Sequence, residues 1–166
     1  MANIALNGTP TQTSGNLIEI GQQAPDFKLT ATDLSTKTLE DFKGHKLILN
    51  IFPSIDTGTC AASVRNFNKE AASLKNTKVL CISRDLPFAQ SRFCGAEGIE
   101  NVINLSDFGT GDFGKNYGLE ITNGPFIHLH SRVIVVIDKN GKVIYTEQVP
   151  DISNEPNYKN ALKAIE

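Results

Sequence analysis

The residue type best suited to nucleophilic chemistry occurs three times in this sequence, as the cysteines at 60, 81 and 94. Their number is odd and their spacing wide, so they do not read as a disulfide framework. No Cys-x-x-Cys is present, which removes a zinc knuckle and a thioredoxin-type redox pair. In a reducing compartment a free cysteine either fills the core or carries chemistry. Cys60 follows Pro53-Ser-Ile-Asp-Thr57-Gly-Thr, between an apolar run and a helical pattern. A helix mouth presents unpaired N–H groups and the positive end of the dipole, and both favour a thiolate, the nucleophilic form. Thr57 lies one turn upstream, where its hydroxyl can cap the helix or bond a substrate oxygen. Pro53 fixes the chain and shields the sulfur. Position by itself leaves two readings of Cys60 open, a reactive thiol and a small buried side chain that happens to start a helix.

Cys94 falls near the end of its own helical segment, in Arg-Phe-Cys-Gly. The negative dipole end discourages a resting thiolate there. A resolving thiol ionises only when it attacks, so the position suits that role, and it suits a core-facing helix end equally well. Gly95 and Gly98 make the region easy to open. Cys81 sits inside Lys-Val-Leu-Cys-Ile-Ser and is assigned to the core.

The elements that would place these residues follow from periodicity. Residues 4–20 suggest an N-terminal hairpin, with Gly8, Pro10 and Gly15 between short apolar runs. Short strands are expected at Phe27–Ala31 and Thr36–Leu39, and a buried strand at Lys46–Phe52. Ala61, Val64, Phe67, Ala71 and Leu74 keep helical spacing, which predicts a helix from Cys60 to about Lys75. Lys78–Ser83 is a second buried strand. Leu86–Ala96 is a helix with Pro87 in its first turn, and Asn101–Leu105 is a short strand. Arg132–Ile137 turns through Asp138-Lys-Asn-Gly141 into Val143–Val149, an antiparallel hairpin. A short helix over 156–165 follows. Helices alternating with buried strands imply an α/β fold with one mixed sheet covered on both faces, residues 1–166 forming one domain.

Two blocks then resemble the thiol peroxidase branch of the peroxiredoxins. Residues 49–65, Leu-Asn-Ile-Phe-Pro-Ser-Ile-Asp-Thr-Gly-Thr-Cys-Ala-Ala-Ser-Val-Arg, contain the family's Pro-x-x-x-Thr-x-x-Cys as Pro53, Thr57 and Cys60. Residues 85–98, Asp-Leu-Pro-Phe-Ala-Gln-Ser-Arg-Phe-Cys-Gly-Ala-Glu-Gly, resemble the segment in which that branch keeps its resolving cysteine, and place Cys94 there. The likeness extends to 21–27 and 132–138. It implies a thioredoxin-like sheet flanked by helices with an N-terminal β-hairpin extension, and a homodimer. It also implies reduction of alkyl and other hydroperoxides, a Cys60–Cys94 disulfide within one chain, and regeneration by thioredoxin. The family's active-site arginine corresponds to Arg132, which composition alone would leave as a solvated charge opening a strand. One local departure is His128-Leu-His130-Ser before that arginine, where aliphatic or small residues are usual.

Other classes fit less well. A net charge of −2 and no basic amphipathic face argue against nucleic acid and membrane partners. The first residues lack a positive, then apolar, leader pattern, so a cytoplasmic location is expected. Gly109-Thr-Gly-Asp-Phe-Gly114 matches a dinucleotide fingerprint only in spelling, without a long following helix. His45, His128 and His130 show no ligand spacing with the cysteines, and His128 and His130 read as a surface pair. No metal, flavin or nucleotide is called for. The competing readings are a thiol–disulfide oxidoreductase without peroxide chemistry, disfavoured by the missing Cys-x-x-Cys, and a non-catalytic thioredoxin-like binding module. A glutathione-dependent peroxidase differs only in its reductant.

Overall fold

The computed structural model describes residues 1–166. A separate hairpin is made by β1 (Asn3–Leu6) and β2 (Thr9–Gln12). The main sheet contains β3 (Lys28–Ala31), β4 (Thr36–Thr38), β5 (Lys46–Ile51), β6 (Thr77–Ser83), β7 (Ile103–Ser106), β8 (Val133–Ile137) and β9 (Val143–Gln148). Its strand order is β4-β3-β7-β6-β5-β8-β9, with β5, β6 and β7 parallel and the flanking pairs antiparallel. The helices are α1 (Gly58–Ala71), α2 (Pro87–Glu97), α3 (Asp112–Asn116) and α4 (Tyr158–Lys163).

The unbroken apolar strands reflect burial on both faces. Leu47, Leu49 and Ile51 of β5 join Phe27, Phe113 and Tyr117 on one side of the sheet. Ile48 faces the other way, with Val79, Cys81 and Ile134, under Val64 and Phe67 of α1, Phe93 of α2 and Ala161 of α4. The alternation of β-strand side chains thus builds two cores from one sheet.

The expected elements are present, with several boundaries moved. The helix after Cys60 stops at Ala71, where Ser73 and Leu74 donate to the carbonyls of Glu70 and Ala71 and Asn76 takes a left-handed φ of 49°. β7 starts two residues later than periodicity suggests, because the Asn101 N–H is taken by Asn68 Oδ1 at 2.7 Å. Arg132 precedes β8 rather than opening it. The short α3 and a 3₁₀ turn at Leu39–Phe42 carry too little periodicity to be read from sequence.

The hairpin turns at Asn7-Gly8, both at positive φ, as a two-residue turn matching the strand twist requires. It is bound to residues 150–152: Ala5 N–H donates to Pro150 O and Ile152 N–H to Ala5 O, each at 2.8 Å. Asp151 accepts the N–H groups of Asn7 (3.1 Å) and Gly8 (2.8 Å), and both the N–H and hydroxyl of Ser153. Ile4, Ile121 and Ile152 close the seam. The Ser153 and backbone donors hold the Asp151 carboxyl at about 2, below its ordinary 3.8. A depressed folded value means that this stabilisation is intact above about pH 4 and lost as pH falls toward about 2. Asp151→Asn is therefore expected to speed amide hydrogen exchange at Asn7 and Gly8 at pH 7 without disturbing the central strands. Carbon NMR of Asp151 should show a titration midpoint near 2. An ordinary midpoint with unchanged exchange would contradict this view of the hairpin clasp.

Candidate active site

The site starts where β5 ends. Phe52 and Pro53 are buried, and the chain loops through residues 54–57 into α1. Asp85, between β6 and α2, grips this loop. Ser54 Oγ and the Ile55 N–H each donate to its carboxylate at 2.7 Å, and Ser83 Oγ donates at 2.6 Å. Asp85 carries no motif signal, and sequence reasoning missed it.

Thr57 is the residue before α1 and has extended backbone angles. Its hydroxyl does not cap the helix, a departure from the first of its two expected roles; it donates to the Ser54 carbonyl at 3.0 Å. The first helical bond runs from Ala61 N–H to Thr57 O at 3.0 Å, so the N–H groups of Gly58, Thr59 and Cys60 point out of the helix end. Cys60, the third helical residue, is fully buried.

Arg132 meets it there. Its Nη2 donates to Cys60 Sγ at 3.2 Å and its Nε to the Ile152 carbonyl at 2.8 Å. The guanidinium is 2% exposed, its Nη1 has no partner, and no carboxylate pairs with it. A buried cation without a counter-anion is costly. The group placed against this cation is the sulfur of Cys60, at the N-terminal mouth of α1. Tyr158 of α4 borders the pair, and its hydroxyl donates to Glu155 at 2.9 Å. Burial pushes the Tyr158 phenol up, while the charge of Arg132 acts in the opposite direction.

Cys94 has different partners from this pair; it is half-buried on α2, against the core beneath the helices. Its Sγ accepts from Asn104 Nδ2 of β7 at 2.8 Å, and burial pushes the thiol up. Its carbonyl accepts the N–H groups of Gly98 and Ile99 that end the helix, with Gly98 at φ 65°, a conformation natural to glycine. Two ion pairs join α2 to the other cysteine's segment: Arg65 to Glu97 through two 3.0 Å bonds, and Arg92 to Asp56 at 3.0 Å. Cys81 is fully buried on β6, its thiol pushed up to about 12 by desolvation, in agreement with its core assignment.

The histidines correct the sequence reading. His128 and His130 do not form a surface pair. A left-handed φ of 70° at His128 breaks the extended geometry that would align them. His128 is exposed and 3.0 Å from Glu120 Oε1. His130 is fully buried with Nε2 2.8 Å from Asp107 Oδ2, and Gly114 leaves the room for its ring: a Cβ there would lie 2.9 Å away.

The Redoxin family model matches residues 19–162. Thiol peroxidases of Corynebacterium glutamicum and Mycobacterium bovis are each 52% identical over 165 residues, covering 99% of both chains. The crystal structure of a peroxiredoxin-like protein from Aquifex aeolicus superposes with a TM-score of 0.92 at 35% identity, over 99% of this chain and 96% of that one. The family match over most of the chain and these full-length likenesses carry one conclusion: the chain belongs to the Redoxin family and, within it, to the thiol peroxidases of the peroxiredoxins.

Proposed function

We propose that Cys60 is the nucleophile of this peroxidase and Cys94 the thiol that resolves it. The observation that carries the first half is the 3.2 Å contact from Arg132 to Cys60 Sγ, with the second guanidinium nitrogen left free. The Cys60 thiolate attacks one peroxide oxygen; the O–O bond breaks, and the other oxygen takes a proton and leaves as alcohol or water. Cys60 becomes a sulfenic acid. Arg132 holds the thiolate through Nη2, and its free Nη1 donates to the oxygen that gathers charge. Outward N–H groups at the start of α1 and the Thr57 hydroxyl, on rotation from Ser54, orient the peroxide. Pro53, buried behind the loop, keeps water from the sulfur.

In the second step the Cys94 sulfur attacks the sulfenic sulfur. An S–S bond forms, the S–O bond breaks, and hydroxide leaves with the Cys94 proton as water. An intrachain disulfide is a natural substrate for thiol–disulfide exchange with a dithiol protein, so thioredoxin is the reductant this reading favours. A cytoplasmic setting suits the free thiols. No helix is long and apolar enough to cross a membrane. The chemistry needs neither metal nor organic cofactor.

The partner expected from family likeness, a second copy of the chain, has a candidate surface. Leu86, Phe88, Phe108 and Ile127 are 50%, 65%, 42% and 45% exposed, an unusual concentration of bare apolar side chains. Arg84 knits the loops that carry them by donating to the carbonyls of Asp107, Phe108 and His128 at 3.1–3.3 Å. The same stretch of chain holds Asp85, so pairing there would brace the Cys60 loop.

Two measurements test these assignments. In rapid mixing with cumene hydroperoxide, the reduced protein should oxidise in a fast single turnover. Cys60→Ser should show none of this phase, and Cys94→Ser should accumulate a trappable sulfenic acid. A peroxide step no faster than that of a free thiol would leave an oxidoreductase or a binding module instead. In sedimentation, the native chain should run as a dimer and Phe88→Lys should shift it to monomer; a native monomer would remove this interface.

A further inference from the structure

One cross-strand row beneath the two helices holds two buried amides. Asn50 of β5 pairs in register with Cys81 of β6, and Cys81 with Asn104 of β7. Asn50 is fully buried and Asn104 nearly so, and each has an unpartnered Oδ1. Buried amides with open acceptors cost stability, so their presence calls for a reason.

Each amide holds one cysteine-bearing helix, in different ways. Asn50 Nδ2 donates to Ser63 Oγ at 3.1 Å, and Ser63 Oγ donates to the Cys60 carbonyl at 2.7 Å. That anchor on α1 does not involve the Cys60 sulfur. Asn104 Nδ2 donates to Cys94 Sγ itself at 2.8 Å. Rotating the amide would offer Oδ1 to an S–H, so Asn104 is suited to hold Cys94 as thiol or thiolate.

The two sulfurs are bound to side chains from opposite parts of the sheet. Asn104 stands on β7 and Arg132 at the foot of β8, with β6 and β5 between them. Strands repeat at about 4.8 Å. Both sulfurs are free thiols, each on its own anchor; a disulfide puts them about 2 Å apart, a geometry that separate anchors on β7 and at the foot of β8 do not serve. α1 buries Cys60, Ala61, Val64 and Phe67, whereas α2 buries only Pro87, Gln90 and Phe93. The Arg65–Glu97 and Arg92–Asp56 pairs that hold α2 from outside are largely exposed and contribute little; Gln90, which donates to Ser83 Oγ at 3.2 Å and to the Leu105 carbonyl at 3.0 Å, pins the N-terminal half of α2 and leaves the turn of Cys94 to Asn104.

We propose that Asn104 is a positioning residue for Cys94: its amide retains the thiol on β7 while peroxide is reduced, and release of this bond lets α2 open for disulfide formation. The proposal rests on Cys94 being the resolving thiol. Asn104 thereby sets how long the Cys60 sulfenic acid persists. A second peroxide can oxidise that acid to sulfinic acid, losing its other oxygen as alcohol or water, and slow resolution favours this loss.

The test uses full-length reduced protein and cumene hydroperoxide in rapid mixing, with mass mapping of iodoacetamide labelling. Asn104→Leu should leave the first, peroxide-consuming phase unchanged. It should speed both disulfide formation and Cys94 labelling roughly fivefold, the effect of one net hydrogen bond, and reduce sulfinic acid at high peroxide. Asn104→Ser, with a shorter hydrogen-bonding side chain, should fall between, and it decides the matter by the same criteria if the leucine variant does not fold. Val79→Ala loosens the same core without touching the amide and should change neither rate. Disulfide formation unchanged or slowed in Asn104→Leu, or equally accelerated in Val79→Ala, would overturn the proposal while leaving Cys94 as resolver. Wild-type sulfenic acid as persistent as that of Cys94→Ser would overturn both.

Discussion

A guanidinium with almost no exposure must find a negative partner or be paid for elsewhere in the fold. Arg132 has no carboxylate beside it; it has the sulfur of Cys60 at 3.2 Å and the carbonyl of Ile152 at 2.8 Å. Desolvation makes such a cation more demanding, since its field is not screened by water. The surrounding elements serve this one contact. β5 and the loop held by Asp85 deliver Cys60 to the mouth of α1, where the helix end has the same sign as the arginine. The start of β8 delivers Arg132, and residues 150–153 hold it in place. Those residues are themselves clasped by the N-terminal hairpin through Asp151 and by Thr59 of α1, whose hydroxyl donates to Ser153 O at 3.0 Å. The hairpin, a separate two-stranded unit, is thus connected to the Cys60 sulfur through only a few bonds.

The second cysteine lives under opposite physics. Cys94 is near a helix C-terminus, half-buried, with its thiol pushed up by desolvation. A group that waits while another reacts benefits from being neutral and held. Its helix is attached by few buried apolar side chains, by exposed ion pairs and by the buried Gln90, which donates to Ser83 Oγ and the Leu105 carbonyl. On the proposed roles, one sheet carries both the helix of attack and the helix of resolution, α1 with the larger buried apolar face.

Much of this was legible in the sequence, for identifiable reasons. Cys60 could be placed at a helix mouth because Ala61, Val64 and Phe67 mark the helix and Pro53 ends the strand before it. Cys81 could be assigned to the core because its neighbours alternate in a buried strand. Arg132 was not legible from periodicity: a charge beside a β-branched run reads as solvent-facing, and only family likeness identified it. Asp85, Asn104 and Ile152 escaped notice because their roles arise from strand order, which places them beside groups distant in sequence. The histidine pair was misjudged because the left-handed turn at His128 has no side-chain signature; histidine gives no glycine-like warning of a positive φ.

The central claim is that the Arg132 charge makes Cys60 a peroxide-reactive thiolate. The most direct measurement is the second-order rate of sulfenic acid formation across pH for the native protein, Arg132→Lys and Arg132→Met. The account predicts a loss of about 10²-fold or more at neutral pH in Arg132→Met, as for removal of one preorganised donor. Part of that loss should be recovered by the lysine, which restores charge without the two-pronged geometry. A rate in folded Arg132→Met within about twofold of the native protein at every pH, far inside the effect expected of one preorganised donor, would contradict it.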